Sequence, residues 1–229
     1  MRKSVLGLSC LTGLMAWQVY ADNTNIHVHG SISPPTCQVN LQGLTQLDWG
    51  NISIFTLKEN DYTTLPKKNI TMQVDCHNLA VTRMAFWIVD TNPGEVMIGR
   101  NTDGRINHAN RASAFNMGVD PYTHKPIGNY TIQPTSLMVD GRRSFAVGYT
   151  VGGDHLNTVF NNSKPYFVGA YNQGEDWTIW DTRRAKPESG SVFTINFAVE
   201  PQLNKVINLT SADAISWKNG VAQFNVRYF

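Results

Sequence analysis

Apolar and polar residues alternate at every second position along several segments of this chain of 229 residues. In the segment KKNITMQVDC, four alternate residues would share one face of a strand, namely Ile70, Met72, Val74 and Cys76. The same pattern recurs at Phe193, Ile195, Phe197 and Val199, at Phe145, Val147, Tyr149 and Val151, and at Ala222, Phe224, Val226 and Tyr228. Side chains of a strand point alternately to its two faces, whereas a helix repeats about every 3.6 residues. The pattern therefore predicts an all-β protein.

Short strands separated by Gly, Pro, Asn and Asp favour a β-sandwich. The segment AVTRMAFWIVD becomes apolar on both faces, which is typical of a central strand. Two stretches lack a clean period, near 91–112 and near 153–187, and we interpret both as loop insertions. The remaining chain, 35–229, is long enough for one large β domain.

The first 21 residues have the plan of a secretory signal peptide. Arg2 and Lys3 precede an apolar run, and the small residues that end at Ala21 suit cleavage there. Removing 21 of the 229 residues leaves 208, with 17 Lys and Arg against 17 Asp and Glu. This balance gives no basis for a nucleic-acid partner. No later apolar run approaches the roughly 20 residues of a membrane span, so we expect an exported protein without one.

Two cysteines, Cys37 and Cys76, remain after the predicted cleavage. An even number in an exported chain predicts one disulfide, and closing a loop of about 40 residues would stabilise by about 4 kcal/mol. Two free thiols are the alternative, which an oxidising compartment disfavours. A metal site is less favoured, because neither cysteine has a second ligand at the spacing that zinc sites use.

Motifs for catalysis are missing from the sequence. It contains no GxSxG, no HExxH and no glycine-rich phosphate loop, so we expect no enzymatic activity, no cofactor and no metal. His27 and His29 could form a metal pair, or could both lie on the solvent side of a strand. Trp177 and Trp180, in GEDWTIWD, form a possible ligand loop that could stack on a sugar, or could pack over the core.

Four segments resemble chaperone–usher pilins, the subunits of bacterial fimbriae. NIHVHGSISPPTC resembles the pilin N-terminal extension, and QLDWGNIS resembles the strand and turn that follow. NITMQVDC resembles the strand with the second cysteine, and FNVRYF resembles the C-terminal strand with its penultimate tyrosine. The segments FNMGVDPYTHKPIGNYTI and LTSADAISWKNGVAQFNVRYF look most like an enterobacterial pilin-like family whose role is not settled.

The resemblance implies an incomplete immunoglobulin-like β-sandwich that is completed by a donor strand from another molecule. The donor would be the extension at 22–34, inserted through Ile26, Val28, Gly30 and Ile32. A disulfide would join Cys37 to Cys76. A periplasmic chaperone would bind the C-terminal strand through Ala222, Phe224, Val226, Tyr228 and Phe229.

The function implied is that of a minor or adaptor fimbrial subunit that contributes to cell adhesion. It would be exported through the periplasm to a fimbrium or the cell surface. Its partners would be a periplasmic pilus chaperone, an outer-membrane usher and other fimbrial subunits. Two alternatives stay open: a carbohydrate- or receptor-binding adhesin subunit, and a periplasmic binding module whose N-terminal strand completes its own sandwich.

Overall fold

The computed structural model divides the chain into two compact units, Met1–Pro34 and Pro35–Phe229. The structure describes residues 37–42, 46–76, 82–92, 94, 114–150, 156–159, 175–181, 183–209 and 220–229, all in the second unit. These residues form twelve strands and two 3-10 turns, and they contain no α-helix. The prediction of an all-β protein is therefore confirmed. Within the same residues, no helix is long and apolar enough to span a membrane.

The strands follow one another along the chain with turns and loops between them. They are β1 (Gln38–Gln42), β2 (Thr63–Thr64), β3 (Lys68–Asp75), β4 (Met84–Asp90), β5 (Phe115–Asn116), β6 (Gly128–Val139), β7 (Arg142–Thr150), β8 (Leu156–Val159), β9 (Glu175–Asp181), β10 (Lys186–Pro187), β11 (Val192–Leu203) and β12 (Ala222–Tyr228). The 3-10 turns are Ile54–Thr56 and Val206–Asn208.

Hydrogen bonds join the strands in the order β1-β3-β11-β6-β7-β9-β4-β12, and all of the pairings are antiparallel. The four shortest strands lie off this path: β2 pairs with β11, β5 with β6, β8 with β7 and β10 with β9. Strand β7 connects the two halves of the path, which are β1-β3-β11-β6 and β9-β4-β12. Its first residues, 142–144, pair with β6, and its later residues, 145–150, pair with β9.

The apolar core lies between these two halves. In β11, Phe193, Ile195 and Phe197 are buried, as the alternation in the sequence predicts. Phe197 meets Phe86 of β4 edge to face, with ring centroids 5.7 Å apart. Strands from opposite halves of the path therefore contribute to one core, and edge-to-face packing of this kind adds to the stability gained from burial.

A disulfide joins Cys37 to Cys76, with an S–S distance of 2.04 Å, and the prediction of this bond is confirmed. Cys37 directly precedes β1 and Cys76 directly follows β3. The bond thus fixes one end of the β1–β3 pair, in which Gln38 lies opposite Asp75.

The structure differs from the sequence predictions in two places. QLDWGNIS contains no strand: the Asp48 carboxylate accepts a hydrogen bond from the Gly50 N–H at 2.8 Å, and Gly50 has a φ of 71°, so this segment is a turn. The stretch near 153–187, predicted as a loop insertion, contains β8, β9 and β10. Most of the insertion near 91–112 lies outside the described residues.

Candidate functional site

Among the described strands, the sheet has free edges at β1 and at β12. In the described part of the chain each of these strands has a single neighbour, β3 for β1 and β4 for β12. The path that connects them is nearly closed. The two free edges therefore border the same opening, which we call the β1–β12 gap. An unpaired edge is a template on which a further strand can add.

The β12 side of this gap is apolar. Phe224 pairs with Ile88 and Val226 pairs with Phe86, and residues paired across an antiparallel ladder point to the same face. Because Ile88 and Phe86 are buried, Phe224 and Val226 also point inward. Both stay only partly buried although they pack on the core, where the Phe224 ring lies 5.3 Å from that of Phe197. The core is therefore incompletely covered along β12.

The inward-pointing side chains of β1 are more exposed than those of β12. Val39 pairs with Val74 and Leu41 with Met72, two fully buried residues, so Val39 and Leu41 also point inward. They are nevertheless 45% and 38% exposed. Inward-pointing aliphatic side chains with this exposure indicate that a layer which would cover them is missing.

The backbone of β12 directs hydrogen-bonding groups into the gap. Phe229 and Arg83 exchange two backbone hydrogen bonds, of 3.0 and 3.1 Å. Hydrogen-bonded pairs alternate with non-hydrogen-bonded pairs in an antiparallel ladder, so the odd-numbered residues of β12 bond to β4. The even-numbered residues, among them the inward-pointing Phe224 and Val226, direct their N–H and C=O groups to the gap.

The same reasoning applies to β1. The Cys76 N–H donates to the Ser191 carbonyl at 2.7 Å, so the even-numbered residues of β3 bond to β11 and the odd-numbered ones to β1. Val39 and Leu41 lie opposite even-numbered residues of β3. Their backbone groups therefore point to the gap, and both of its edges offer hydrogen bonds to an incoming strand.

Polar groups fix the start of β12. The Val221 carbonyl accepts hydrogen bonds from the N–H and the hydroxyl of Thr91, at 3.1 and 3.2 Å. The residue before Thr91, Asp90, is buried, and its carboxylate accepts hydrogen bonds from the backbone N–H groups of Asn116 at 2.7 Å and Asn92 at 3.0 Å.

Burial, and secondarily the Asp90 carboxylate, raise the pKa of Tyr130 far above its usual range. The Tyr130 phenol thus stays protonated, and the Thr91–Val221 hydrogen bonds join the end of β4 to the start of β12.

An ion pair between a buried carboxylate and an exposed arginine joins β12 to β9. Arg227 of β12 contacts the carboxylate of Asp176 in β9, across the intervening β4. Asp176 has a side chain that is only 5% exposed, whereas that of Arg227 is 42% exposed. Burial raises the pKa of Asp176 above its ordinary 3.8, and the charge and hydrogen bond of Arg227 oppose that rise without cancelling it.

This raised pKa predicts a pH-dependent contribution to stability. The native state holds its proton on Asp176 to a higher pH than the unfolded chain, whose pKa is about 3.9. The contribution of Asp176 is therefore most favourable below about pH 4 and is lost as the pH rises through the raised native pKa. We expect Asp176→Asn to flatten the fall in unfolding free energy that follows as the pH rises above about 4, measured by urea titration.

The Arg227→Gln variant is the matched control for that prediction. It removes the cation that lowers the pKa of Asp176, so the loss of stability should extend to higher pH than in the unmodified protein. Parallel pH profiles of the unmodified protein and Asp176→Asn would contradict the assignment.

Some of the predicted site residues lie in the part of the chain that the structure describes, and others lie outside it. Ala222, Phe224, Val226 and Tyr228 lie in β12 as predicted, with Phe229 directly after it. The proposed donor residues Ile26, Val28, Gly30 and Ile32 lie outside the described residues, as do His27 and His29. Trp177 and Trp180 lie in β9, not in a loop: Trp177 is buried in the core, and Trp180 points to the opposite face and is partly exposed.

Sequence analysis missed the β1 side of the gap. Val39 and Leu41 alternate directly after Cys37, in the segment CQVNL, which is a period-two signal too short to stand out by itself. Among the described residues, no three His, Cys, Asp or Glu side chains lie together as metal ligands.

One family model matches the chain, over residues 26–128, and its description is a protein of unknown function, DUF1120. The match begins at Ile26, the first apolar residue of the alternating segment before Cys37, and ends at the first residue of β6. No curated protein sequence matches the chain.

Proposed function

We propose that this chain is a non-enzymatic structural subunit of a fimbrial or fimbrial-like fibre, assembled by addition of a strand at the β1–β12 gap. The gap itself carries the proposal, because it leaves inward-pointing apolar side chains partly uncovered between two unpaired edges. A strand that entered would gain backbone hydrogen bonds from both edges and cover those side chains. Left open, the same edges would promote aggregation.

The strand order supports an immunoglobulin-like β-sandwich with one strand missing. On this proposal β1-β3-β11-β6 forms one layer and β12-β4-β9-β7 forms the other, with β7 passing between them. The Phe86–Phe197 contact joins the two layers through the core. The missing strand would lie beside β12, at the edge of its layer.

The segment from Ile26 to Ile32 suits the gap in length and period. It has seven residues, as β12 has, and its four alternate positions Ile26, Val28, Gly30 and Ile32 would point inward. Burial of the three aliphatic side chains would contribute about 5–9 kcal/mol before the cost of ordering the strand. Gly30 would occupy the position where the gap is too shallow for a side chain.

Assembly would then proceed by exchange of one strand for another. A periplasmic chaperone would first cover β12 through the face that carries Ala222, Phe224, Val226, Tyr228 and Phe229. The extension of another fimbrial subunit would replace it at an outer-membrane usher. The completed fibre would contribute to adhesion at the cell surface.

The solution mass of the protein, purified from a periplasm that also supplies a pilus chaperone, tests this proposal. We expect a complex with the chaperone that converts to oligomers, measured by light scattering. Gly30→Leu should prevent the conversion, because its side chain would meet the gap where no space exists for it. Ser31→Leu, on the opposite face of the same segment, is the matched control and should convert normally.

A stable monomer that is indifferent to Gly30→Leu would overturn the proposal. A monomer that Gly30→Leu destabilises would instead show that residues 26–32 complete their own sandwich, which is also incompatible with a fibre subunit of this kind.

A further inference from the structure

Three partly exposed apolar side chains lie next to one another on the outer face of the sheet. Phe145 of β7 pairs with Trp180 of β9, and Trp180 pairs in turn with Pro187 of β10. Paired residues share a face, so the three side chains form one strip across three strands. Phe145 is 43% exposed, and Trp180 and Pro187 are partly exposed. We call this strip the Phe145–Trp180 face.

The strip is bordered by exposed cations. Arg143 lies two residues before Phe145 on the same face of β7, and Arg183 and Arg184 follow Trp180 in the turn between β9 and β10; all three are exposed. Arg142 pairs with the buried Val139 and Lys186 pairs with Asp181, so these two cations belong to the other face. Ser144 donates to the Trp180 carbonyl at 3.4 Å, which places the start of β7 directly beside the end of β9. Arg143 and the two arginines of the turn therefore lie beside the strip, although the whole chain has a formal net charge of only +2.

The acids nearby are occupied by other interactions. The Asp181 carboxylate accepts hydrogen bonds from the N–H groups of Arg183 and Arg184, at 2.9 and 3.2 Å, and forms an ion pair with the Arg184 side chain at 3.7 Å. Glu188 accepts from the Ser144 hydroxyl, and Asp140 accepts from two backbone N–H groups. In the described part of the chain the side chains of Arg143 and Arg183 form no ion pair.

We propose that the Phe145–Trp180 face binds an acidic saccharide. The apolar C–H face of a pyranose ring packs on aromatic side chains. The planar guanidinium of arginine pairs with a carboxylate or sulfate through two parallel hydrogen bonds, which favours an anionic sugar over a neutral one. The Asp181 carboxylate fixes the backbone of the turn at Arg183 and Arg184, which lowers the cost of ordering this turn on binding. This inference does not depend on the proposed assembly at the β1–β12 gap, which lies along other strands.

Calorimetric titration of the full chain with three oligosaccharides tests the proposal. Tetragalacturonate and a heparin tetrasaccharide are the acidic probes, and cellotetraose is the neutral one. We expect the acidic probes to bind at least about tenfold more tightly than cellotetraose. Their affinity should fall as salt is added, because exposed charges are screened.

Two variants separate the aromatic from the charged part of the surface. Phe145→Ala should weaken binding of the acidic probes by about tenfold or more, and so should Arg183→Gln combined with Arg184→Gln. The matched control is Lys58→Gln combined with Lys125→Gln, which removes two exposed lysines elsewhere and should leave binding unchanged. All the substituted side chains are exposed, so circular dichroism should show the same fold.

Several results would overturn the proposal. Failure of both acidic probes to bind, equal binding of cellotetraose, or indifference to both test variants would each do so. Vesicles of phosphatidylcholine with phosphatidylglycerol serve as a further probe. Binding to these vesicles without binding to the acidic saccharides would assign the face to an anionic lipid surface instead.

Discussion

A second copy of residues 24–33, appended after Phe229 through a short Gly-Ser linker, is expected to raise the free energy of unfolding by about 3 kcal/mol or more. Phe229 stays paired with Arg83 at the end of β12. A linker from this point can therefore return the copy antiparallel to β12, along its free edge. The copy would cover Phe224 and Val226 and would meet the uncovered Val39 and Leu41 of β1. Urea unfolding of the extended and unmodified chains measures the difference.

The appended copy also provides its own control. Gly30→Leu within the copy alone should abolish the stabilisation, whereas Ser31→Leu within the copy should preserve it. The extended chain should remain monomeric, because its gap is filled from within. An extended chain no more stable than the unmodified one would show that the gap does not accept this segment.

Removal of the disulfide by replacing both Cys37 and Cys76 with Ser is expected to cost about 4 kcal/mol. The bond closes a loop of 39 residues, and the denatured chain regains the conformational freedom of that loop when the bond is absent. Since the bond fixes β1 to β3 where Gln38 lies opposite Asp75, its loss should also loosen the β1 edge of the gap. Unfolding in urea and hydrogen exchange of the β1 amides measure the two effects.

The unmodified protein in a reducing buffer is the comparison for the double variant, and the two should agree within about 1 kcal/mol. If the double variant unfolded at the same urea concentration as the oxidised protein, loop closure would contribute nothing to the stability of this fold.

Much of the core could be predicted from the sequence, because long strands buried on one face produce a regular alternation. β3 and β11 show this plainly: Met72, Val74, Phe193 and Ile195 alternate with polar residues and all four are buried. The cysteine count was equally informative, since two cysteines in a chain predicted to be exported leave one pairing.

Alternation alone does not say which face of a strand points inward, since a shift of one residue exchanges the two faces. Phe145 illustrates this, because its alternation with Val147 predicts an apolar face while the structure leaves it exposed. The reason lies in β7, which leaves β6 after Ser144 and continues beside β9. Trp177 and Trp180 likewise differ in burial because they occupy opposite faces of β9, which periodicity could not assign to core and solvent.

The periodicity of the sequence also does not predict the order of the strands in the sheet. β12 pairs with β4, with 131 residues between Asp90 and Ala222, and nothing local in either segment specifies the other. The β1–β12 gap exists only because of this order, so the two apolar strips at its edges could be recognised as one site only in the structure.

The distance along the chain between β4 and β12 also affects the order in which the strands can pair during folding. Because 131 residues separate β4 from β12, hairpins such as β6–β7 can form before β12 reaches β4. Until then Phe86 and Ile88 lack the strand that pairs with them. Pairings of such long range are slow to form because the closure entropy is lost before the contacts are made. We therefore expect the docking of β12 on β4 to limit the rate at which newly made molecules become competent to accept a further strand.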